Sequence, residues 1–423
     1  MVADGTAAPR GVVSVAMAAT ARFDVVVVGA SIAGCTAARL FALAGARVGL
    51  IERRPDPGAY KVVCTHQILS SAVPTIERLG LAPLLEARGA VHVHAEGWTP
   101  YGGWMTLPTD VPHGYGVTRR TLDPMLRELA AGTPGVELLS GWTAVGLLSE
   151  GGRPGGVEIQ SPSGEVRAVR ARLVVGADGR DSAVARLARV PGRVRPHNRF
   201  FYFAYWRGLR PRTTKARLWL LDPDVAAAFP NEDDLTVVAA GPHRSRRAEF
   251  RADPERAYRR MIGGLPGGPD LAEAERASKL LGKLEVPNVM RPAAGRGVAF
   301  VGDAALASDP VFGVGCGWAF QSAEWLVDEV GSALVEGRDL DAALDRYAAT
   351  FRRRLGAHHW FISDFATGRR MRAIERMTFR AATVDPAVAR AMEEVVSRRR
   401  SPFRMFDPRV NARVLRAGAL APR

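Results

Sequence analysis

One short stretch narrows the fold of this chain more than any other: residues 23–28, an almost continuously apolar and β-branched run that stops at Gly29. A run of that kind suits a parallel strand buried on both faces. Gly29-Ala30-Ser31-Ile32-Ala33-Gly34 follows, then an alanine-rich helical stretch to about Gly45, then a second apolar run, 47–51, that ends in Glu52. Strand, tight turn, helix, strand and terminal acid thus fall in the order of a βαβ unit that binds a dinucleotide. The chemistry explains the residue types, because a pyrophosphate reaches the amides at the helix start only if no side chain holds it away. Gly29 permits the turn and Gly34 permits close helix packing. Ser31 stands where the middle glycine of G-x-G-x-x-G is expected, and its small side chain crowds a phosphate only slightly. Glu52, eighteen residues beyond Gly34, is placed to accept hydrogen bonds from an adenosine ribose, and an acid there argues against a 2'-phosphate. Gly29, Ala30, Ser31, Ala33, Gly34, Glu52 and the adjoining Arg53 are the candidate contacts of this first block.

Two later blocks repeat the design. Residues 172–176 form another buried strand that ends in the turn Ala177-Asp178-Gly179, before a helix containing Val184 to Leu187. Residues 298–301 form a third, followed by Gly302-Asp303-Ala304-Ala305 and then by Pro310, Gly313, Val314, Gly315, Cys316 and Gly317 ahead of a long helix. A glycine loop of this kind opens a helix whose first amides face whatever lies before them.

Together the three blocks resemble the FAD-dependent monooxygenases related to para-hydroxybenzoate hydroxylase, with the geranylgeranyl reductases and flavin halogenases that share their fold. The resemblance spans residues 23–335. It implies an α/β flavoprotein with a Rossmann-like FAD-binding domain of the para-hydroxybenzoate hydroxylase-like fold, drawn from 23–90, 110–195 and 290–340. An inserted β-sheet substrate domain takes 91–109 and 196–289, C-terminal helices take 341–423, and 1–22 is expected to be a disordered extension. On the family's pattern the first block holds the ADP half of FAD, and Asp178 and Gly179 lie beside the pyrophosphate and the nicotinamide path. Asp303, next to Gly302, hydrogen-bonds the ribityl chain, and the loop through Pro310, Gly313, Val314, Gly315 and Cys316 runs along the isoalloxazine. An arginine in a V-x-R-x-x-L pattern touches FAD in many relatives, which nominates Arg119 within Val117-Thr118-Arg119-Arg120-Thr121-Leu122. Two departures weaken assignment to a subfamily: Leu306 stands where a histidine often follows Gly-Asp-Ala-Ala, and Gly317 where an asparagine often ends the glycine loop.

The resemblance implies hydroxylation or epoxidation of a small aromatic, polyketide-like or alkene substrate through a flavin C4a-hydroperoxide, in specialised metabolism. NAD(P)H is then a transient reductant, since one complete dinucleotide fingerprint is present. The cofactor performs the demanding step while protein supplies dryness and orientation, so neither a catalytic triad nor a metal site is expected. Reduction of a polyene or prenyl chain, as in the geranylgeranyl reductases, is the alternative. Halogenation is weaker, because Trp104-Met105-Thr106-Leu107-Pro108 only faintly echoes the W-x-W-x-I-P of halogenases. Extended aromatic stretches between 198 and 289 suit a sheet over the flavin. Alternation puts Tyr202, Ala204 and Trp206 on one face and Phe201, Phe203 and Tyr205 on the other, leaving open which face lines the pocket. Tyr202, Tyr205 and Trp206 are the candidate substrate contacts. His66, in Tyr60-Lys61-Val62-Val63-Cys64-Thr65-His66-Gln67, is the candidate catalytic proton shuttle, an ordinary histidine pKa of about 6.5 suiting that work. A loop-fixing hydrogen-bond role competes with it. Lys61 and Cys64 resemble a lysine and a cysteine found around the flavin in the reductase and halogenase branches.

A formal net charge of +15 raises the question of nucleic acid. Only Lys61, Lys215, Lys279 and Lys283 are lysines, the arginines are scattered, and no nucleic-acid-binding motif accompanies them. A basic helical surface accounts for the charge, and no nucleic-acid partner is expected. Cys35, Cys64 and Cys316 are too few and too scattered for a disulfide framework, which points to the cytoplasm. No apolar stretch approaches the ~18–20 residues of a membrane-spanning helix, so no integral membrane segment is expected. Met17 stands six residues before the first strand and competes with Met1 as the start. The helical C-terminal part, Arg-rich at 352–354 and 369–372, either closes over the pocket or pairs two subunits as a homodimer.

Overall fold

The computed structural model describes residues 21–105, 108 and 110–420. The extension expected to be disordered therefore lies, up to residue 20, outside the described residues, as do Thr106 and Leu107 of the halogenase-like segment. Residues 21 and 22 are strand: β1 is Ala21–Val28, two residues longer than the apolar run, because its parallel ladder already pairs at Ala21 and Arg22.

β1 pairs in parallel with β2, Val48–Glu52, on one side and with Val166–Gly176 on the other. Val136–Ser140 continues the sheet beyond β2, and Val298–Phe300 continues it beyond Val166–Gly176, both in parallel. Val25, Val26 and Val27 are wholly buried, as the unbroken apolar pattern of a two-faced parallel strand requires. Helix α1, Ile32–Leu43, connects β1 to β2 and packs on the helices Arg119–Ala131 and Gly315–Val335. Its small residues Ala33, Gly34, Ala37 and Ala38 let it lie close to the sheet.

Register decides where the site can be. Val28 lies beside Ile51 and beside Gly176, and Gly176 lies beside Phe300. Four strands thus end level, at the carboxyl edge where open parallel sheets take their ligands. The three glycine-bearing blocks leave the sheet there as neighbours.

A second sheet runs in the order Glu275–Arg276, Phe201–Arg207, Leu235–Gly241, Val225–Pro230, Ala216–Leu220, Ala95–Thr99, Gly103–Met105. Its pairs are antiparallel except where Ala216–Leu220 meets Ala95–Thr99. Two helices absent from the sequence reading, Arg247–Ala252 and Pro254–Gly263, cover one face of this sheet and bury Trp206, Trp219, Phe250, Tyr258 and Ile262 with it. The opposite face carries Phe201, Phe203, Ala227 and Phe229 and packs on Val63, Phe312 and Phe365. Behind the first sheet runs Leu340–Phe365, and Ala373–Ala382, Pro386–Val396 and Pro408–Leu420 form a further cluster that takes in Met105. Among the described residues no helix is long and apolar enough to cross a membrane.

Candidate active site

Backbone contact, rather than flexibility, explains the glycines of the first block. Gly29 has φ +105°, and a Cβ there would sit 2.6 Å from the Ala177 carbonyl oxygen; one at Gly34 would sit 1.7 Å from the Gly29 carbonyl oxygen. The first block is thereby pressed onto the second. The third joins them, since a Cβ at Gly302 would meet that of Ala33 at 2.9 Å. At Gly179 and Gly315, by contrast, a Cβ would meet nothing within 4 Å. These two face open space, Gly179 in the turn after Asp178 and Gly315 at the start of the 21-residue helix Gly315–Val335. Asp178 Oδ2 accepts the Val184 amide at 3.1 Å, while its buried Oδ1 has no partner among the described residues. An acceptor in that state is open to a ligand's hydroxyl.

Glu52 is buried, and its two oxygens accept the Ala30 amide at 3.0 Å and the Arg54 amide at 3.0 Å, with Arg54 Nε at 3.2 Å. Burial pushes its pKa up, but these donors and the Arg54 charge outweigh burial and hold it below the usual carboxylate range. Glu52 is an anion at neutral pH with lone pairs left for further donors. Arg53 beside it is exposed.

Thr118 caps the helix Arg119–Ala131 and delivers Arg119 into the interior. Arg119 grips Asp123 Oδ1 with Nε at 2.8 Å and Nη2 at 2.6 Å, and Nη2 also reaches Ser31 Oγ at 2.5 Å. Ser31 leaves the start of α1 without a side-chain cap, and its hydroxyl ties the first block to Arg119 instead. Asp123 Oδ2 accepts the Lys61 amide at 2.9 Å, and Arg127 donates to the carbonyls of Pro57 and Ala59. One helix face therefore holds the loop 57–66 over the sheet edge. Asp123 escaped the sequence reading; its signal was the i,i+4 spacing from Arg119.

His66 has φ +60° and is buried. Its Nδ1 accepts the Arg119 amide at 2.7 Å, so the proton of the neutral ring sits on Nε2 and is donated to the Tyr205 hydroxyl. Tyr205 in turn donates to the Val62 carbonyl oxygen at 3.2 Å. Burial lowers the His66 pKa and raises that of Tyr205. With both ring nitrogens engaged, His66 acts as a strut between helix, loop and sheet, which favours loop fixing over proton transfer.

Lys61 Nζ lies 3.0 Å from Asp303 Oδ2, joining residues 242 apart in the chain. The Asp303 carboxylate raises the Lys61 pKa. Burial alone would raise that of Asp303, yet Lys61 and Arg180 bring it below its ordinary value. Cys64 of the same loop lies with its sulfur 3.6 Å from that of Cys316 in the first turn of Gly315–Val335.

Between this loop, Pro310 and the second sheet is a narrow cleft walled by Thr65, Phe201, Phe203, Val225, Ala227 and Phe229. Thr65 supplies its polar side chain; the rest is apolar. Tyr205 belongs to the same face of the sheet. Tyr202 and Trp206 do not: Trp206 is buried with Nε1 donating to the Tyr258 hydroxyl at 3.1 Å, and Tyr202 stacks on Phe250. The expectation that Tyr202 and Trp206 contact substrate is corrected, because two helices invisible as such in the sequence cover their face. A larger cavity of about 620 Å³ opens elsewhere on this sheet, beside Arg212, Lys215, Trp219 and Asp234, and its lining includes no residue of the three blocks.

Comparison with known proteins agrees with this geometry. Residues 22–263 match the family model described as FAD binding domain. The chain is 30% identical over 353 residues to digeranylgeranylglycerophospholipid reductase 1 of Methanopyrus kandleri, covering 78% of this chain and 87% of that one. Among solved structures, a flavoprotein/dehydrogenase from Cytophaga hutchinsonii superposes with a TM-score of 0.78 at 18% identity, covering 94% of this chain and 98% of that one. A flavin-dependent brominase superposes with a TM-score of 0.76 at 17% identity, with 94% and 98% covered.

Proposed function

This chain belongs to the FAD-binding family of para-hydroxybenzoate hydroxylase-like fold, and from that premise we propose that it is an FAD-dependent reductase of a carbon–carbon double bond in an apolar, prenyl-like chain. The observation that carries the reading is the apolar wall beside Pro310, where Phe201, Phe203, Val225, Ala227 and Phe229 line a seam of about 10 Å³ that offers a phenol no base and has to widen to take an alkyl chain. The Methanopyrus relative, a reductase by name, supports it.

The residues fit FAD. Gly29, Ala30, Ser31, Ala33 and Gly34 present the start of α1 to the pyrophosphate, where bare amides and the helix dipole favour an anion. Glu52 would accept from the ribose, with the exposed Arg53 beside it. Asp178, with its unpartnered oxygen beside Gly179, and Asp303, after Gly302 and balanced by Lys61, would accept from hydroxyls of the cofactor. Arg119 holds Ser31 from behind. Pro310, Gly313, Val314, Gly315 and Cys316 would hold the ring, and the first amides of Gly315–Val335 would favour negative charge on it. Bound FAD supplies the hydride, with NAD(P)H as transient reductant. Thr65 and the strut His66–Tyr205 hold the loop that keeps water from the cleft.

Anaerobic turnover tests this reading. Reduced holoenzyme mixed with a geranylgeranyl lipid under nitrogen is expected to reoxidise and to yield a product heavier by two hydrogens. Oxygen uptake matched to substrate loss, with an added oxygen atom in the product, would replace it with hydroxylation or epoxidation.

A further inference from the structure

We infer that Cys64 and Cys316 form a redox-active pair that a hydroperoxide converts to a disulfide, Cys64 attacking and Cys316 resolving. The fold brings together two residues 252 apart until their sulfurs are 3.6 Å from one another. The surroundings of the two are unequal. Cys64 sits on a partly exposed loop, its sulfur accepting the His66 amide at 3.3 Å with Arg119 Nη1 at 3.9 Å. Cys316 is buried in the first turn of a helix. Hydrogen-bond donors and a nearby guanidinium are what make a cysteine a nucleophile.

The S–H of Cys316, donated to Cys64, is the main influence drawing the Cys64 thiol well below its usual range; Arg119 and Lys61 add to it against burial. The same hydrogen bond, with burial, pushes Cys316 up. The two sulfurs are therefore unequal, Cys64 the more acidic and Cys316 the less. Cys35 is buried, and burial pushes its thiol up.

The steps balance. The Cys64 thiolate attacks one oxygen of the hydroperoxide, breaking the O–O bond and giving a sulfenic acid and a hydroxide or alkoxide. Cys316 sulfur then attacks the sulfenic sulfur, its proton leaves with the displaced hydroxide as water, and the S–S bond forms. Two electrons pass from the sulfur pair to the peroxide. The product ties the loop carrying Lys61 and His66 to the start of the helix Gly315–Val335. This inference stands independently of the reductase reading.

The test is thiol counting on the full-length holoenzyme, reduced, desalted, treated with hydrogen peroxide, denatured, alkylated with N-ethylmaleimide and read by peptide mass spectrometry. Alkylated cysteines are expected to fall from three to one, the remaining label on Cys35, with a cross-linked peptide joining Cys64 to Cys316 that dithiothreitol removes. In Cys316→Ser, Cys64 is expected to pass on to sulfinic acid that dithiothreitol does not reverse. Retention of all three labels under excess peroxide would overturn the inference, as would loss of the Cys64 label in the wild-type protein without the cross-link. The wild-type measurement decides alone if the variant does not fold.

Discussion

A single methyl group separates two kinds of glycine in this protein. At Gly34 it would overlap the Gly29 carbonyl oxygen, and at Gly315 it would enter empty space. Gly34→Ala is therefore expected to lose flavin and stability together. Gly315→Ala is expected to keep or slightly raise apoprotein stability, alanine being favoured in a helix by up to ~1 kcal/mol, while flavin affinity falls. Absorbance ratios and melting of the apoprotein check both, and unchanged affinity in Gly315→Ala would put the ring elsewhere. The buried Arg119–Asp123 pair makes a second residue-level case. Arg119→Met leaves a buried carboxylate without its cation, which costs about 3–5 kcal/mol. Arg119→Met with Asp123→Leu is expected to recover most of that in urea denaturation while flavin retention stays impaired, because Ser31 has lost its anchor.

Helix Leu340–Phe365 carries the clearest pH dependence of any element. His358 and His359 are buried, and burial brings each pKa down to about 4, with Arg398 near the first and Arg195 near the second adding to it. In the unfolded chain both take a proton near 6.5. Between about 6.5 and about 4 the unfolded state thus binds more protons, so stability is full above the upper value and is lost as pH falls toward the lower one. Each histidine accounts for on the order of 3 kcal/mol at the acid end. Thermal unfolding followed from pH 7 to pH 4.5 should show the decline, and His359→Phe should flatten it. An unchanged slope would mean that the helix admits water around His359 before the chain unfolds.

At the scale of the molecule, the proposed function places substrate where the two sheets meet across the Pro310 loop. Ala227→Val, a small enlargement that narrows the seam beside Pro310, is expected to lower turnover of a prenyl substrate at unchanged flavin content. Trp206→Ala, on the far face of the same sheet, is expected to cost about 3–5 kcal/mol of stability and to leave KM where it was. Reversed outcomes in steady-state assays and melting curves would mean that the wrong face has been assigned to substrate.

The three glycine blocks, their order and the acid at Glu52 were legible because each is a local rule: a strand that must end, a turn that tolerates no Cβ, a helix start with unpaired amides. Local rules survive in one dimension. The choice between the faces of Phe201–Arg207 was not legible, since period-two alternation is symmetric until something covers one side, and the covering helices Arg247–Ala252 and Pro254–Gly263 lie some fifty residues on. Lys61 against Asp303 and Cys64 against Cys316 were hidden for the same reason: each pair is made by the level ends of parallel strands and the segments that leave them, whereas Asp123 under Arg119 is a local i,i+4 pair of one helix. Sequence alone determined that a dinucleotide fold would form at the carboxyl edge of a parallel sheet, and only tertiary packing, by excluding water from one cleft and bringing distant charges and sulfurs within bonding reach, decided which side chains face it.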